Sequence, residues 1–219
     1  MDRELVVRKT ADFVRQKLGG EGTGHDMWHA QRVHETAVSI AKGEKGADLY
    51  VVQLASLLHD IADHKFTKDD KAGQRMAEAF LKKQGVDDKT VAHVSYIINN
   101  ISFSGAAEKP KLKTKEAMIV QDADRLDAMG AIGIARAFAY GGYKGRTLHN
   151  PVKPSDYGSF ADYKKANALD ATTINHFYEK LLLLKGKMNT ETGRKIAADR
   201  HTFMEDYLDQ FYAEWDGRK

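Results

Sequence analysis

The stretch ADLYVVQLASLLHDIADH occupies residues 47–64. Apart from Asp48, Gln53 and Ser56, it is apolar as far as Leu58, almost all the way round a helix. Ala47–Ala62 therefore reads as a buried central helix rather than an amphipathic surface one. Its end carries the anomaly, the adjacent pair His59-Asp60. A carboxylate beside core residues is costly unless something compensates its charge, and a divalent cation does so. Adjacent residues point about a third of a turn apart on a helix, so both reach one ion only where the helix end abuts it.

The flanking sequence is also helical in pattern. Glu4–Leu18 places Leu5, Val6, Phe13, Val14 and Leu18 roughly on one side, and Trp28–Ile40 repeats this with Val33, Ala37 and Ile40. Lys68–Gln84 follows Thr67 as N-cap and stops at Gly85. Asp87–Ile101 and Lys113–Ala139 continue the series, the latter breaking or bending near Gly130 and Gly133. Tyr140–Gly158 is irregular, rich in Gly, Pro, Asn and Tyr, and long enough to serve as an active-site flap. Helical patterning resumes over Phe160–Leu184 and Thr190–Trp215. Strand patterns are scarce, and only three prolines occur: Pro110, Pro151 and Pro154. The expected fold is all-α, a helical bundle forming a single domain over residues 1–219.

Composition sets limits on function. The chain has 219 residues, 42% hydrophobic and 30% charged, as a globular protein has. Its 34 basic and 31 acidic residues give a net charge of +3, too even for a nucleic-acid coat. Cysteine is absent, which excludes disulfides, thiolate zinc sites and a cysteine nucleophile. Nine histidines supply candidate neutral ligands. The first residues are charged and amphipathic without a signal-peptide core, and the longest apolar runs, such as Leu181–Leu184, are too short to span a bilayer. The expected location is cytoplasmic, with no membrane and no nucleic acid as partner.

Two further pieces share the chemistry of His59-Asp60. One is His25-Asp26-Met27-Trp28-His29, whose histidines lie four apart on one face. The other is Asp122-Ala123-Asp124-Arg125-Leu126-Asp127, whose three carboxylates compete. Alone, His59-Asp60 reads first as a polar helix end, His29 is unremarkable, and the Asp-rich segment reads as a solvated helix face. Two imidazoles with two carboxylates would make a mixed N/O shell suited to Mn²⁺, Fe²⁺, Co²⁺ or Zn²⁺ rather than Ca²⁺. In an octahedral shell two positions would stay open for water and a substrate oxygen.

Together and in this order, the pieces resemble the H…HD…D pattern of the HD-domain metal-dependent phosphohydrolases. The phrases HDMWHAQRV, LLHDIADHKF, IINNISFSG, VQDADRLDAMGAIGIARAF and HFYEKLLLLKGKMNTETGRKIAADRH are similar to a bacterial single-domain branch of that superfamily, from about His25 to Trp215. The resemblance implies an HD-domain bundle with one divalent metal at its centre, held by His29, His59, Asp60 and Asp124. Arg32-Val33 favours His29 over His25, and the Ala-Asp-Arg-Leu phrase selects Asp124, leaving Asp127 as an outer partner on the same face. Mn²⁺ is favoured, with Mg²⁺, Co²⁺, Fe²⁺ and Zn²⁺ as alternatives. Only His93 lies between His64 and the final Asp, which argues against a second metal.

The same resemblance implies hydrolysis of (d)NTPs to monophosphate and pyrophosphate, with the nucleotide as small-molecule partner. A phosphomonoesterase, a diesterase, an alarmone hydrolase and a nucleotide sensor are the alternatives. Asp63, three residues after Asp60, is the expected water-activating carboxylate and His64 the second candidate. Lys65, Arg125, Lys180, Lys185, Arg200 and His201 are the candidates for polyphosphate binding; the family phrases favour Lys180, Lys185 and Arg200. Of the aromatic residues Phe66, Phe103, Tyr140, Tyr143, Phe177 and Tyr178, the pair Tyr140 and Tyr143 is favoured for ligand contact.

Overall fold

The computed structural model describes residues 2–18, 26–61, 71–101, 112–151 and 172–219. Among these, every regular element is helical. In chain order they are α1 Arg3–Leu18, α2 Met27–Gly43, α3 Leu49–Leu58, α4 Ala72–Lys83, α5 Asp88–Ile101, α6 Lys115–Asp127, α7 Gly130–Tyr143 and α8 Thr173–His176. A π turn (Phe177–Leu181), a 3₁₀ segment (Leu182–Lys187) and α9 (Glu191–Trp215) complete the chain. The all-α expectation is the observed class. No helix of the described residues is long and apolar enough to cross a membrane. The chain divides into two compact units, Met1–Ser104 with Glu108–Asp124, and Gly105–Ala107 with Arg125–Lys219.

In the first unit α3 packs against α1, α2 and α5. Asp48 starts it by accepting the N–H groups of Tyr50 at 3.0 Å and Val51 at 3.4 Å. Eight of its ten residues are buried, so it is enclosed on all sides as its sequence requires. Burying side chains such as Leu54 and Leu58 stabilises the unit by about 1.5–3 kcal/mol each. The helix ends at Leu58, earlier than Ala62; His59 keeps helical dihedrals and Ile61 N–H reaches back to the Leu58 carbonyl at 3.3 Å.

The other helices fit around this centre with some corrections. Val33, Ala37 and Ile40 of α2 are fully buried, as expected. In α1 the buried stripe is Val6, Thr10 and Val14, while Leu5 is exposed. Residues four apart share a face, and Leu5 sits about 100° round from Val6. Phe13 instead stacks on Phe80 of α4, centroids 4.2 Å apart. Helix α4 begins at Ala72 in the described residues, and the expected Thr67 cap lies outside them. Gly85 stops that helix in a left-handed conformation (φ 77°), and Val86 N–H bonds back to the Leu81 carbonyl at 3.1 Å.

The start of α6 is tied down within the first unit. The Glu116 carboxylate accepts Asp48 N–H at 2.8 Å and faces His93 Nε2 at 3.6 Å. Lys115 Nζ donates to the Lys45 carbonyl at 2.5 Å. These bonds fix the helix that carries Asp124.

In the second unit α7 packs against α8 and α9. The break expected near Gly130 falls between Asp127 and Gly130, whose φ is 67°. The irregular stretch expected from Tyr140 begins later, because α7 runs through Gly141 and Gly142 to Tyr143. Gly141 is there for close packing: a Cβ on it would lie 2.2 Å from Thr173 Oγ1. The positive-φ position is Gly145, at 66°, and residues 152–158 of the expected flap lie outside the described set. The helix expected over Phe160–Leu184 is a single α turn from Thr173, then π and 3₁₀ segments; residues 160–171 lie outside the described set. Leu181 and Leu184 are buried and Leu183 is exposed, a spacing of three that suits the tighter 3₁₀ geometry.

Candidate metal centre

Three helix ends of the first unit supply the cluster. Asp26 caps α2, its Oδ1 accepting His29 N–H at 2.8 Å, so His29 stands in the first turn. His59 and Asp60 leave the end of α3, and Asp124 stands in the last turn of α6. Helix ends are where consecutive residues turn toward one point, which answers how neighbours such as His59 and Asp60 reach a common centre.

His29 Nε2 lies 3.2 Å from His59 Nε2, 3.4 Å from Asp60 Oδ2 and 3.4 Å from Asp124 Oδ1. His59 Nε2 lies 3.5 Å from Asp60 Oδ2 and 3.8 Å from Asp124 Oδ1. Bonds of about 2.1 Å to one ion place neighbouring donors about 3.0 Å apart in an octahedron and about 3.4 Å apart in a tetrahedron. Four of the five observed separations, 3.2 to 3.5 Å, lie at or within 0.1 Å of this range, and the His59–Asp124 separation of 3.8 Å is longer. His29, His59 and Asp124 each offer a donor atom within 4.8 Å of the others and could hold a metal ion.

Protonation agrees with this. His59 Nδ1 is 2.8 Å from the Ser56 carbonyl. A carbonyl only accepts, so Nδ1 carries a proton, which leaves Nε2 as the ring nitrogen turned toward the cluster. His29 Nε2 and His59 Nε2 are 3.2 Å apart, and a cation held there would take the place of the proton that His29 shares with Asp124. Burial raises the Asp124 pKa, but the hydrogen bond from His29 and the neighbouring His59 outweigh it and hold the carboxyl below its ordinary value. The imidazoles are 1% and 2% exposed, whereas Asp60 is 18% and Asp124 32% exposed. Solvent thus reaches the cluster from its carboxylate side.

The competing residues stand elsewhere. Asp122 is fully buried and Asp127 pairs with Arg136 at 2.7 Å. His25, Asp63, His64 and Lys65 lie outside the described residues. Among the expected phosphate-binding residues, Arg125 Nη1 donates to the Lys187 carbonyl, and Arg200 Nη1 to the Leu126 carbonyl at 2.5 Å. Burial lowers the Arg200 pKa, partly offset by Asp127. Lys180 is half-buried and Lys185 exposed. Burial, then the charges of Lys180 and Arg146, push His176 down to about 3, so that imidazole is neutral at pH 7.

Three participants were missed in the sequence. Asp26 had a usable signal, an Asp immediately before a helical pattern. Ser56 contributes a backbone carbonyl, which any residue supplies. Arg136 gives no local cue, because its partner is nine residues away.

Comparison with known proteins agrees with the helical fold. The HD domain family matches residues 28–129. Protein YpgQ of Bacillus subtilis strain 168 is 39% identical over 202 residues, 90% of this chain and 88% of YpgQ. A crystal structure of an HD-superfamily hydrolase from Bacillus thuringiensis is 38% identical, covers 98% of each chain and superposes with a TM-score of 0.78. The crystal structure of B. subtilis YpgQ in complex with ADP gives a TM-score of 0.73 at 32% identity, covering 98% of this chain and 97% of that one. With both sequence and fold in common over nearly its full length, the chain belongs to the HD-domain phosphohydrolase superfamily.

Proposed function

We propose that this protein is a metal-dependent nucleotide pyrophosphohydrolase that converts (d)NTPs to monophosphate and pyrophosphate. The observation that carries the reading is the set of donor atoms of His29, His59, Asp60 and Asp124, spaced as around one divalent ion. The family resemblance favours Mn²⁺, with Mg²⁺, Co²⁺, Fe²⁺ and Zn²⁺ as alternatives, and a mixed N/O set suits Mn²⁺, Fe²⁺, Co²⁺ or Zn²⁺ better than Ca²⁺. The ADP complex of YpgQ supports a nucleotide ligand here. Residues 1–219 act as one functional domain in this reading, since the family match at 28–129 crosses the unit boundary after Asp124. A cytoplasmic location, where nucleotides are abundant, belongs to the same proposal.

Bound at these residues, a divalent ion supplies Lewis-acid polarisation of a phosphoryl oxygen and a lowered pKa for water. His59 keeps its Nε2 available because Ser56 holds the proton on Nδ1. Asp63 accepts a proton from the attacking water, with His64 as the alternative base. The P–O bond between the α- and β-phosphates breaks, water adds across it, and pyrophosphate leaves. Lys65, Arg125, Lys180, Lys185 and Arg200 neutralise the polyphosphate. A guanidinium has five N–H donors, so the carbonyl bonds of Arg125 and Arg200 do not preclude a phosphate contact.

The test is to prepare the protein metal-free, add Mn²⁺, Mg²⁺, Co²⁺ or Zn²⁺ singly, and resolve the products from a panel of NTPs and dNTPs. Monophosphate with pyrophosphate supports the reading. Nucleoside, diphosphate or turnover of other phosphate esters alone moves it to a phosphomonoesterase, diesterase or alarmone hydrolase, and tight nucleotide binding without turnover moves it to a sensor. Asp63→Ala is expected to keep wild-type metal content and lose about 100-fold or more in kcat, the usual contribution of a general base. Metal analysis alongside steady-state kinetics checks this; undiminished turnover assigns the base elsewhere.

A further inference from the structure

Asp124 stands in the last turn of α6, the part of a helix that frays first. The final carbonyls of an α-helix have no partner within it. In α6 the end is tightened by bonds from Ala128 N–H to the Arg125 carbonyl at 3.1 Å and from Met129 N–H to the Leu126 carbonyl at 3.0 Å. Two arginines then reach it from later helices. Arg200 of α9 donates to the Leu126 carbonyl at 2.5 Å. Arg136 of α7 donates through Nη1 both to the Asp127 carbonyl at 3.1 Å and to Asp127 Oδ2 at 2.7 Å. Positive charge is favoured at a helix C-terminus, and charge-assisted bonds are the strong ones. Asp127 is 5% exposed and Arg136 26%, so water competes weakly for this pair.

We infer that Arg136 is a positioning residue for the metal centre: with Asp127 it pins the last turn of α6 and so fixes where Asp124 stands. In this role it acts through the helix backbone, by its bonds to Asp127, and not as a metal donor. The inference rests on the proposal that Asp124 holds the ion. It also explains the burial of Asp127, which holds the arginine that caps its own helix.

The test measures Mn²⁺ affinity of the full-length protein by competition with a fluorescent chelator. Arg136→Met is expected to weaken Mn²⁺ binding about 10-fold or more, as loss of outer partners does at other metal sites. At saturating Mn²⁺ its KM for nucleotide should match wild type, because a positioning role acts on the helix end and not on the substrate. Arg136→Lys, which keeps the charge, should recover part of the affinity. Asp127→Asn should reproduce the loss, and the double variant Arg136→Met with Asp127→Asn should add little to either, because the two act as one unit. Leu208→Ala serves as a control for general stability: Leu208 is buried in α9 and makes none of the hydrogen bonds at the α6 end, so the variant should lower Tm while leaving affinity intact.

Wild-type Mn²⁺ affinity in Arg136→Met overturns the inference, whatever its Tm. So does equal loss in Leu208→Ala, which would make the effect one of general stability. If Arg136→Met does not fold, Arg136→Lys and Asp127→Asn decide by the same criterion. Asp124→Ala separates the two levels. If it binds Mn²⁺ normally, the metal assignment fails; if it loses Mn²⁺ while Arg136→Met does not, only the positioning role fails.

Discussion

Replacing His59 or Asp60 by alanine is expected to abolish metal binding and turnover together. Outer partners of a metal typically cost 10–100-fold in affinity, so losing a direct donor should exceed about 100-fold. His59 should be the more damaging loss. Its ring is buried and its Nδ1 proton is already held by Ser56 at 2.8 Å, so its Nε2 donor is pre-organised and no water replaces it in the same orientation. Asp60 is more exposed, and a water can partly fill its place.

A second readout avoids dependence on activity. A ligand that binds only the folded state at 100 times its Kd stabilises it by about 2.7 kcal/mol. For a chain of this size that corresponds to a rise in Tm of about 5–10 °C. Wild type should show this rise with Mn²⁺, and neither His59→Ala nor Asp60→Ala should. Wild-type metal content in either variant would place the metal site elsewhere.

Much of this centre was legible because it violates a local rule. A buried helix should end in a cap or a glycine, yet α3 ends in His59-Asp60. The break between α6 and α7 was legible for a similar reason, since Gly130 and Gly133 interrupt a strong helical pattern. Other features had no such mark. Gly141 and Gly142 look like a loop, but the first is a packing position against Thr173, and only the partner reveals this. The run Leu181–Leu184 carries no periodicity to distinguish an α-helix from π and 3₁₀ turns. The pairing of Arg136 with Asp127 depends on how the break folds back, which spacing alone does not encode. The expected base, Asp63, lies outside the described residues, so its role rests on its spacing from Asp60 and on family resemblance.

Gly133→Ala should have the largest effect on stability. A Cβ at Gly133 would lie 2.4 Å from both the carbonyl carbon and the oxygen of Ala128. Both atoms are backbone, so no rotamer change relieves the contact; either the break must open or α7 must shift. Overpacking costs about 1–3 kcal/mol and occasionally more, and backbone contact on this scale belongs at the upper end. A loss of about 3 kcal/mol lowers Tm by about 6–12 °C in a chain of this length. Gly142→Ala is the internal control, in the same helix with nothing within 4 Å of the added Cβ. Alanine is favoured over glycine in a helix by up to about 1 kcal/mol, so this variant should melt at or above the wild-type temperature. Equal melting of the two variants would show that the break tolerates a methyl group. If Gly133→Ala melts early as expected, the strain falls on Ala128, next to the Asp127 carbonyl that Arg136 holds, and Mn²⁺ affinity should fall in the same variant. A glycine with no chemistry of its own would then belong to the metal centre as much as the arginine does, because both keep the α6 end where Asp124 needs it.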